Sequence, residues 1–244
     1  MLNKIILASK SKVRKDILDK NNIPNQVEPS NIDEEVVKER LIKEKATPNI
    51  ISSNLAELKA NKVSLKLKNK LVLGADSVID LNGELISKPE NRDQAYNILK
   101  KLNGKKHNLV SSVCISKNGS MIWNYTDKAS LTMKNLSDED IKKYLSEITD
   151  EALYAYNVYQ IEGEGKNLFV KIKGDENTIM GLPIKKIKEY SRVSKNYLLF
   201  FQTIYTLTYF ATETLQLSDY INKKDHLQIT DYSYVYNLTL ILFV

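Results

Sequence analysis

Along residues 1–190 the apolar positions switch repeatedly between a two-residue and a 3.6-residue period, and no other feature constrains the fold as tightly. Strands are expected at 4–8, 26–28, 71–79, 84–87, 108–116, 121–133, 159–162, 168–172 and 178–180. Helices are expected at 12–21, 36–45, 54–67, 91–102 and 137–145, with a loop around Pro48 and a short helix after Pro183. Asn82-Gly83 separates two apolar runs, and both residue types accept positive φ, so it reads as a two-residue hairpin turn. The long runs 108–116 and 121–133 pair around Asn118-Gly119. Ser137 caps a helix whose first turn, Asp138-Glu139-Asp140, sets three acids at the positive end of the helix dipole. No long period repeats, so a solenoid is not expected. The pattern is that of an α/β domain with a mixed sheet.

Composition permits such a core. The chain has 244 residues, 42% of them hydrophobic and 27% charged, enough for one large domain or one domain plus an appendage. A single cysteine, Cys114, excludes a disulfide framework and a cysteine-rich zinc site, and suits a reducing compartment. Cys114 alternates within an apolar strand and reads as a core thiol. The apolar run at the start is too short for a signal-peptide core, so residues 4–8 read as a strand of a cytoplasmic protein. The net charge is +6. Its lysines are scattered among acids without interleaved aromatics, so a nucleic-acid polymer is not an expected partner.

A compositional break falls near Tyr190. Every glycine and proline lies at or before Pro183, whereas the last 54 residues hold seven of the 14 tyrosines and four of the five phenylalanines. Four basic residues there balance four acidic ones, which leaves the whole charge excess upstream. Residues 197–211 carry no charge, but these 15 positions fall short of the ~20 needed to span a bilayer. A transmembrane segment is not expected. The readings left open are an interfacial helix, a pairing strand, or an added segment without catalytic role, and the last is favoured. The chain is therefore divided into a domain at 1–190 and an extension at 191–244.

Three groups of residues could carry chemistry. Ser9-Lys10-Ser11-Lys12-Val13-Arg14 follows a strand and opens a helix, where free N–H groups, hydroxyls and Arg14 could hold phosphate oxygens; an ordinary serine cap is the plainer alternative. Gly74-Ala75-Asp76-Ser77 ends an apolar run in a carboxylate suited to a metal ligand or general base, or to a simple turn. Lys59 and Lys88 are lone lysines, and Asp33-Glu34-Glu35 begins a helix, which by itself explains acids there. His107 and Trp123 read as structural.

In this order the pieces resemble the Maf family of nucleotide pyrophosphatases. The match runs through Leu7-Ala8-Ser9-Lys10-Ser11 with Arg14, Ile32-Asp33-Glu34, Leu55-Ala56-Glu57-Leu58-Lys59-Ala60, Gly74-Ala75-Asp76-Ser77, Ser87-Lys88-Pro89, Leu102-Asn103-Gly104-Lys105-Lys106-His107, Tyr159-Gln160-Ile161-Glu162-Gly163 and Gly181-Leu182-Pro183. The resemblance implies an elongated mixed sheet flanked by helices, two lobes around a cleft, and often a homodimer. It implies hydrolysis of a nucleoside triphosphate to the monophosphate and pyrophosphate, with a divalent cation (Mg2+, Mn2+ or Co2+). Asp76 then corresponds to the general base and, with Glu34, to the metal site. Arg14, Lys59 and Lys88 correspond to a cationic clamp on the triphosphate, Ser9 to a hydroxyl contact, and Gln160 to a base-pocket residue. A nucleotide-binding regulator of septum formation without turnover is the alternative from another class. The chain departs from the family's usual pattern at Lys12-Val13, which lacks a proline, at Ser77, and at Tyr156-Asn157-Val158, which lacks a glycine. Asn157 is the residue there best suited to a left-handed backbone.

Overall fold

The computed structural model of the chain describes residues 4–150, 153 and 158–223. Seven strands form one sheet in the order β2-β1-β3-β5-β6-β7, with β4 paired to β3. They are β1 (Ile5–Leu7), β2 (Asn25–Val27), β3 (Val72–Leu81), β4 (Glu84–Ile86), β5 (Lys106–Lys117), β6 (Ser120–Met133) and β7 (Phe169–Lys173). β1 is parallel to both β2 and β3, and every other pairing is antiparallel. The mixed α/β architecture expected from the apolar periods is the one found. Asn82 and Gly83 take φ of 54° and 91°, and Asn118 and Gly119 take 53° and 86°, the left-handed pairs that tight hairpins require.

The helices are α1 (Lys12–Lys20), α2 (Glu34–Lys43), α3 (Pro48–Lys66), α4 (Arg92–Leu102), α5 (Asp138–Glu147), α6 (Glu176–Ile179) and α7 (Ile184–Lys223). Side-chain caps fix their starts: Ser11, Asp33, Thr47, Asn91, Ser137 and Asp175 each accept a backbone N–H of the first turn. Ser137 and Asp140 complete a reciprocal capping box.

Two apolar layers cover the β1–β3–β5 part of the sheet. On one face Ile6, Ala8, Val72 and Cys114 meet Ala56, Ala60 and Val63 of α3. On the other, Ile5, Leu7, Leu73, Ala75 and Val113 meet Val13, Ile17 and Leu18 of α1 and Ile184 and Ile187 of α7. A larger cluster built on Ile79, Leu99, Leu109, Leu131, Tyr144 and Phe169 fills the α4–α5 side. Gly74 sets the α3 spacing: a Cβ there would lie 2.1 Å from the Ala56 carbonyl oxygen and 2.7 Å from the Ala60 nitrogen, so β3 and α3 touch backbone to backbone.

Four local expectations are corrected. Pro48 is the first residue of α3, not a loop residue, because its missing N–H costs nothing at a helix start and Thr47 caps it. Residues 159–162 form turns rather than a strand, closed by the Gly163 N–H on the Gln160 carbonyl. Residues 178–180 fall in and just after α6, where the Asp175 cap outcompetes the short apolar run. The helix after Pro183 runs 40 residues, not a few.

The chain divides into two compact units, Met1–Ser191 and Arg192–Val244. In the second, large side chains including Phe200, Phe201, Tyr205 and Phe210 are exposed. No helix among the described residues is long and apolar enough to cross a membrane. Asn157 and residues 238–244 lie outside the described residues.

Candidate active site

The register of β3 opens the cleft. On one edge β3 pairs with β1 only as far as Leu73 and with β4 only from Ile79 onward. Among the described residues, 74–78 find no strand partner on that edge, and there the sequence places Gly-Ala-Asp-Ser-Val. Strand alternation turns Asp76 to the face that Gly74 shares with α3, and Ser77 to the face that Ala75 shares with α1. One carboxylate and one hydroxyl thus flank the gap.

On the α3 face, the Lys59 ammonium donates to Asp76 Oδ1 at 2.8 Å and lies 3.0 Å from Glu34 Oε1. Lys59 and Asp76 are both buried, with 5% of each residue exposed, whereas Glu34 is half-buried at the start of α2. Removing Lys59 would strand the buried Asp76 carboxylate, at a cost of about 3–5 kcal/mol, whereas removing Asp76 leaves Lys59 paired with Glu34. Burial pushes the Glu34 carboxyl up, but the charge and hydrogen bond of Lys59 outweigh it and leave the group below the usual carboxylate range. Ser52 donates to the Asp76 carbonyl at 3.2 Å and steadies the strand. Asp76 Oδ2 is buried and has no hydrogen-bond partner among the described residues.

On the α1 face, the Arg14 guanidinium replaces the missing strand. It donates to the carbonyl oxygens of Ala75 (3.0 Å) and Gly181 (3.0 Å) and to the hydroxyls of Ser9 (3.2 Å) and Ser77 (3.2 Å). Four of its five N–H groups are thereby used. Burial lowers its pKa, and the charges of Asp76 and Glu34 oppose that shift. Ser77 continues the network to Ser111 at 2.9 Å, and Ser111 donates to the Thr178 carbonyl at 2.7 Å. Gly181 takes φ +97°, and a Cβ on it would meet Ser77 Oγ at 2.8 Å, so glycine is needed both for the backbone and for the contact.

Ser9, Arg14, Glu34, Lys59, Asp76 and Ser77 line one cavity of about 730 Å³, together with Lys10, Ser11 and Lys12 at the start of α1. Every residue to which the family resemblance gives a role, Ser9, Arg14, Glu34, Lys59, Asp76, Lys88 and Gln160, borders it. Lys88 sits at the exposed rim; the surrounding protein and then the charge of Arg14 lower its pKa. Gln160 is held from beneath: a Cβ on Gly165 would lie 2.6 Å from the Gln160 nitrogen and oxygen. Its neighbour Tyr159 is buried with its hydroxyl 2.8 Å from His107 Nε2. Val158, not a glycine, takes positive φ here, at 75°. Ser77, Ser111 and Gly181 complete the cage and were not assigned roles from sequence. Their link is a contact with Arg14 across more than 150 residues for Gly181, which no local pattern encodes.

The donor set suits a hard divalent cation. Asp76 and Glu34 each engage Lys59 through one oxygen, and Asp76 Oδ2 is left as an orphaned buried acceptor. Two carboxylates completed by phosphate and water oxygens are the usual surroundings of Mg2+. No group of three or more His, Cys, Asp or Glu that could hold a metal occurs among the described residues.

The sequence profile of a family described as Maf-like protein matches residues 4–192. A nucleoside triphosphate pyrophosphatase of Pelagibacter ubique is 68% identical over 195 residues, which is 80% of this chain and 100% of that protein. A 7-methyl-GTP pyrophosphatase of Rhizobium etli is 36% identical over 184 residues, covering 75% of this chain and 92% of that one. Among solved structures, a nucleoside-triphosphatase / dITP/XTP pyrophosphatase from Mycobacterium abscessus superposes with a TM-score of 0.37 at 11% identity, over 83% of this chain and 98% of that one. That superposition is too loose to carry an argument.

Proposed function

The chain belongs to the Maf-like protein family, and on that premise we propose that its cleft hydrolyses nucleoside triphosphates to the monophosphate and pyrophosphate. The observation that supports this most is the pairing of a partnerless buried oxygen, Asp76 Oδ2, with a cluster of cations in one cavity. Phosphoryl transfer needs positioning and charge neutralisation more than covalent chemistry from the protein.

In this reading Asp76 is the general base: Oδ2 holds a water against the α-phosphorus and takes its proton, while Lys59 on Oδ1 holds the carboxylate in place. Lys88, at the rim, closes on the β- and γ-phosphates. Arg14 contributes a fixed charge and one remaining N–H, and Ser9 and the first turn of α1 supply neutral donors. Gln160 meets the nucleobase. Glu34 and Asp76 would hold a divalent cation, Mg2+, Mn2+ or Co2+, whose chemistry here is to neutralise charge on the phosphate oxygens. Cytoplasmic location and homodimerisation belong to the same reading. A binding-only regulator of septum formation would have no use for a buried carboxylate oxygen that no donor among the described residues engages.

The test is incubation of the full chain with a panel of canonical and modified nucleoside triphosphates, including 7-methyl-GTP, with and without chelator. Pyrophosphate release that stops on chelation and returns with a divalent cation is expected. Release of orthophosphate alone, or binding without turnover across the panel, would count against the proposal.

A further inference from the structure

Away from the cleft, the β5–β6–β7 ribbon gathers positive charge on one face. Its register aligns Lys106 with Thr132 and Thr132 with Lys171, then Asn108 with Ser130 and Ser130 with Lys173. Lys128, two residues before Ser130, faces the same way. The result is a concavity of about 500 Å³ lined by these four lysines around Asn108, Ser130 and Thr132, with Gly174 in its wall. Gly174 has φ +133°, and a Cβ there would lie 2.7 Å from the Ala129 Cβ, so glycine alone lets the chain leave β7 this close to β6.

Among the described residues none of the four ammonium groups has a carboxylate or hydrogen-bonding partner, and the lining contains no acid. Like charges gathered on one sheet face repel, and a bound polyanion relieves that repulsion. The lining also contains no aromatic ring on which a base could stack and no arginine fork. Ammonium point charges with hydroxyl and amide donors between them match the oxygens of a phosphate chain. We propose that this face is a second, non-catalytic site for an oligophosphate group, either free or as the tail of a nucleotide whose base remains in solvent.

Calorimetric titration of the full chain with inorganic tripolyphosphate tests this. Two binding events are expected, one in the cleft and one on the sheet face. Lys128→Gln/Lys171→Gln, and independently Ser130→Asp, should weaken only the second, by about tenfold or more, as expected for loss of a charge-assisted hydrogen bond. Both variants should keep wild-type turnover and melting temperature. Lys88→Ala should weaken only the first event, and the control pair Lys66→Gln/Lys68→Gln neither. A single event altered only by Lys88→Ala would overturn the proposal, as would equal losses in the control pair, which would reduce the effect to net charge. Repeating the titration with a non-hydrolysable nucleoside triphosphate separates the sources. Equal affinity at the sheet face assigns the nucleotide tail, and markedly weaker affinity assigns free oligophosphate. Because binding is the readout, the result stands apart from whether the cleft turns over nucleotides.

Discussion

Arg14 and Lys88 were paired in the sequence as one clamp, but their surroundings separate them. Arg14 ties α1 to Ala75, Ser77 and Gly181, so Arg14→Lys should lower both melting temperature and activity, since a point ammonium cannot serve four acceptors spread in a plane. Lys88→Ala should leave melting unchanged and raise KM for the triphosphate by about tenfold or more, the usual size of one lost charge-assisted contact. An unchanged KM in Lys88→Ala would show that the rim lysine does not touch the phosphates. His107 supplies a pH signature. Burial lowers its imidazole from 6.5 to about 4, so within that window the unfolded chain binds a proton that the folded chain does not. Stability is therefore fully present above the window and falls as pH drops through it, by roughly 3 kcal/mol from this group. Denaturant melts of the wild type and His107→Gln across the window should diverge, the variant losing less; parallel curves would refute the assignment.

At the scale of elements, the β3–α3 contact fixes where the chemistry sits, because Asp76 and Lys59 project from the two surfaces that meet at Gly74. Gly74→Ala would force a methyl against the backbone of Ala56 and Ala60, which cannot yield as a flexible side chain would. The strand and the helix must part, costing several kcal/mol by the ordinary scale of overpacking. Its melting temperature and activity should fall together; wild-type values for both would contradict the packing account. Much of this scale was legible in the sequence. The caps at Ser11, Asn91 and Ser137 and the Asn-Gly turns are local chemistry, and each element beside them was placed within a few residues. Residues 159–162 and 178–180 were misread for a shared reason. Their apolar positions are buried by the tertiary fold, Tyr159 against His107 and Ile179 in the same apolar cluster, so period alone misjudged the backbone. In the site, Gly74-Ala75-Asp76-Ser77 announced itself as an apolar run leading into an acid, but Asp76 lies in the middle of β3 rather than at a strand end. The bridging position of Lys59 and the Gly181 carbonyl under Arg14 are long-range contacts and were illegible.

For the molecule as a whole, the matched family region ends at residue 192, and the catalytic candidates are complete before it. Tyr190 stacks on Trp123 with ring centroids 4.9 Å apart and should be kept, so the informative truncation follows Ser191. That protein is expected to fold, to retain turnover and to be more soluble, because it lacks the exposed Phe200, Phe201, Tyr205 and Phe210. A large fall in melting temperature with aggregation would show instead that the extension belongs to the fold.

On the proposed mechanism Asp76 activates the attacking water in a cleft whose cations hold the triphosphate. Pyrophosphate release by Asp76→Asn, set beside nucleotide binding by the same protein, tests it most directly. Turnover should fall by about 10² to 10⁴ with binding retained within about tenfold, since loss of a general base leaves the cations in place. Pyrophosphate release at the wild-type rate from Asp76→Asn would contradict the account.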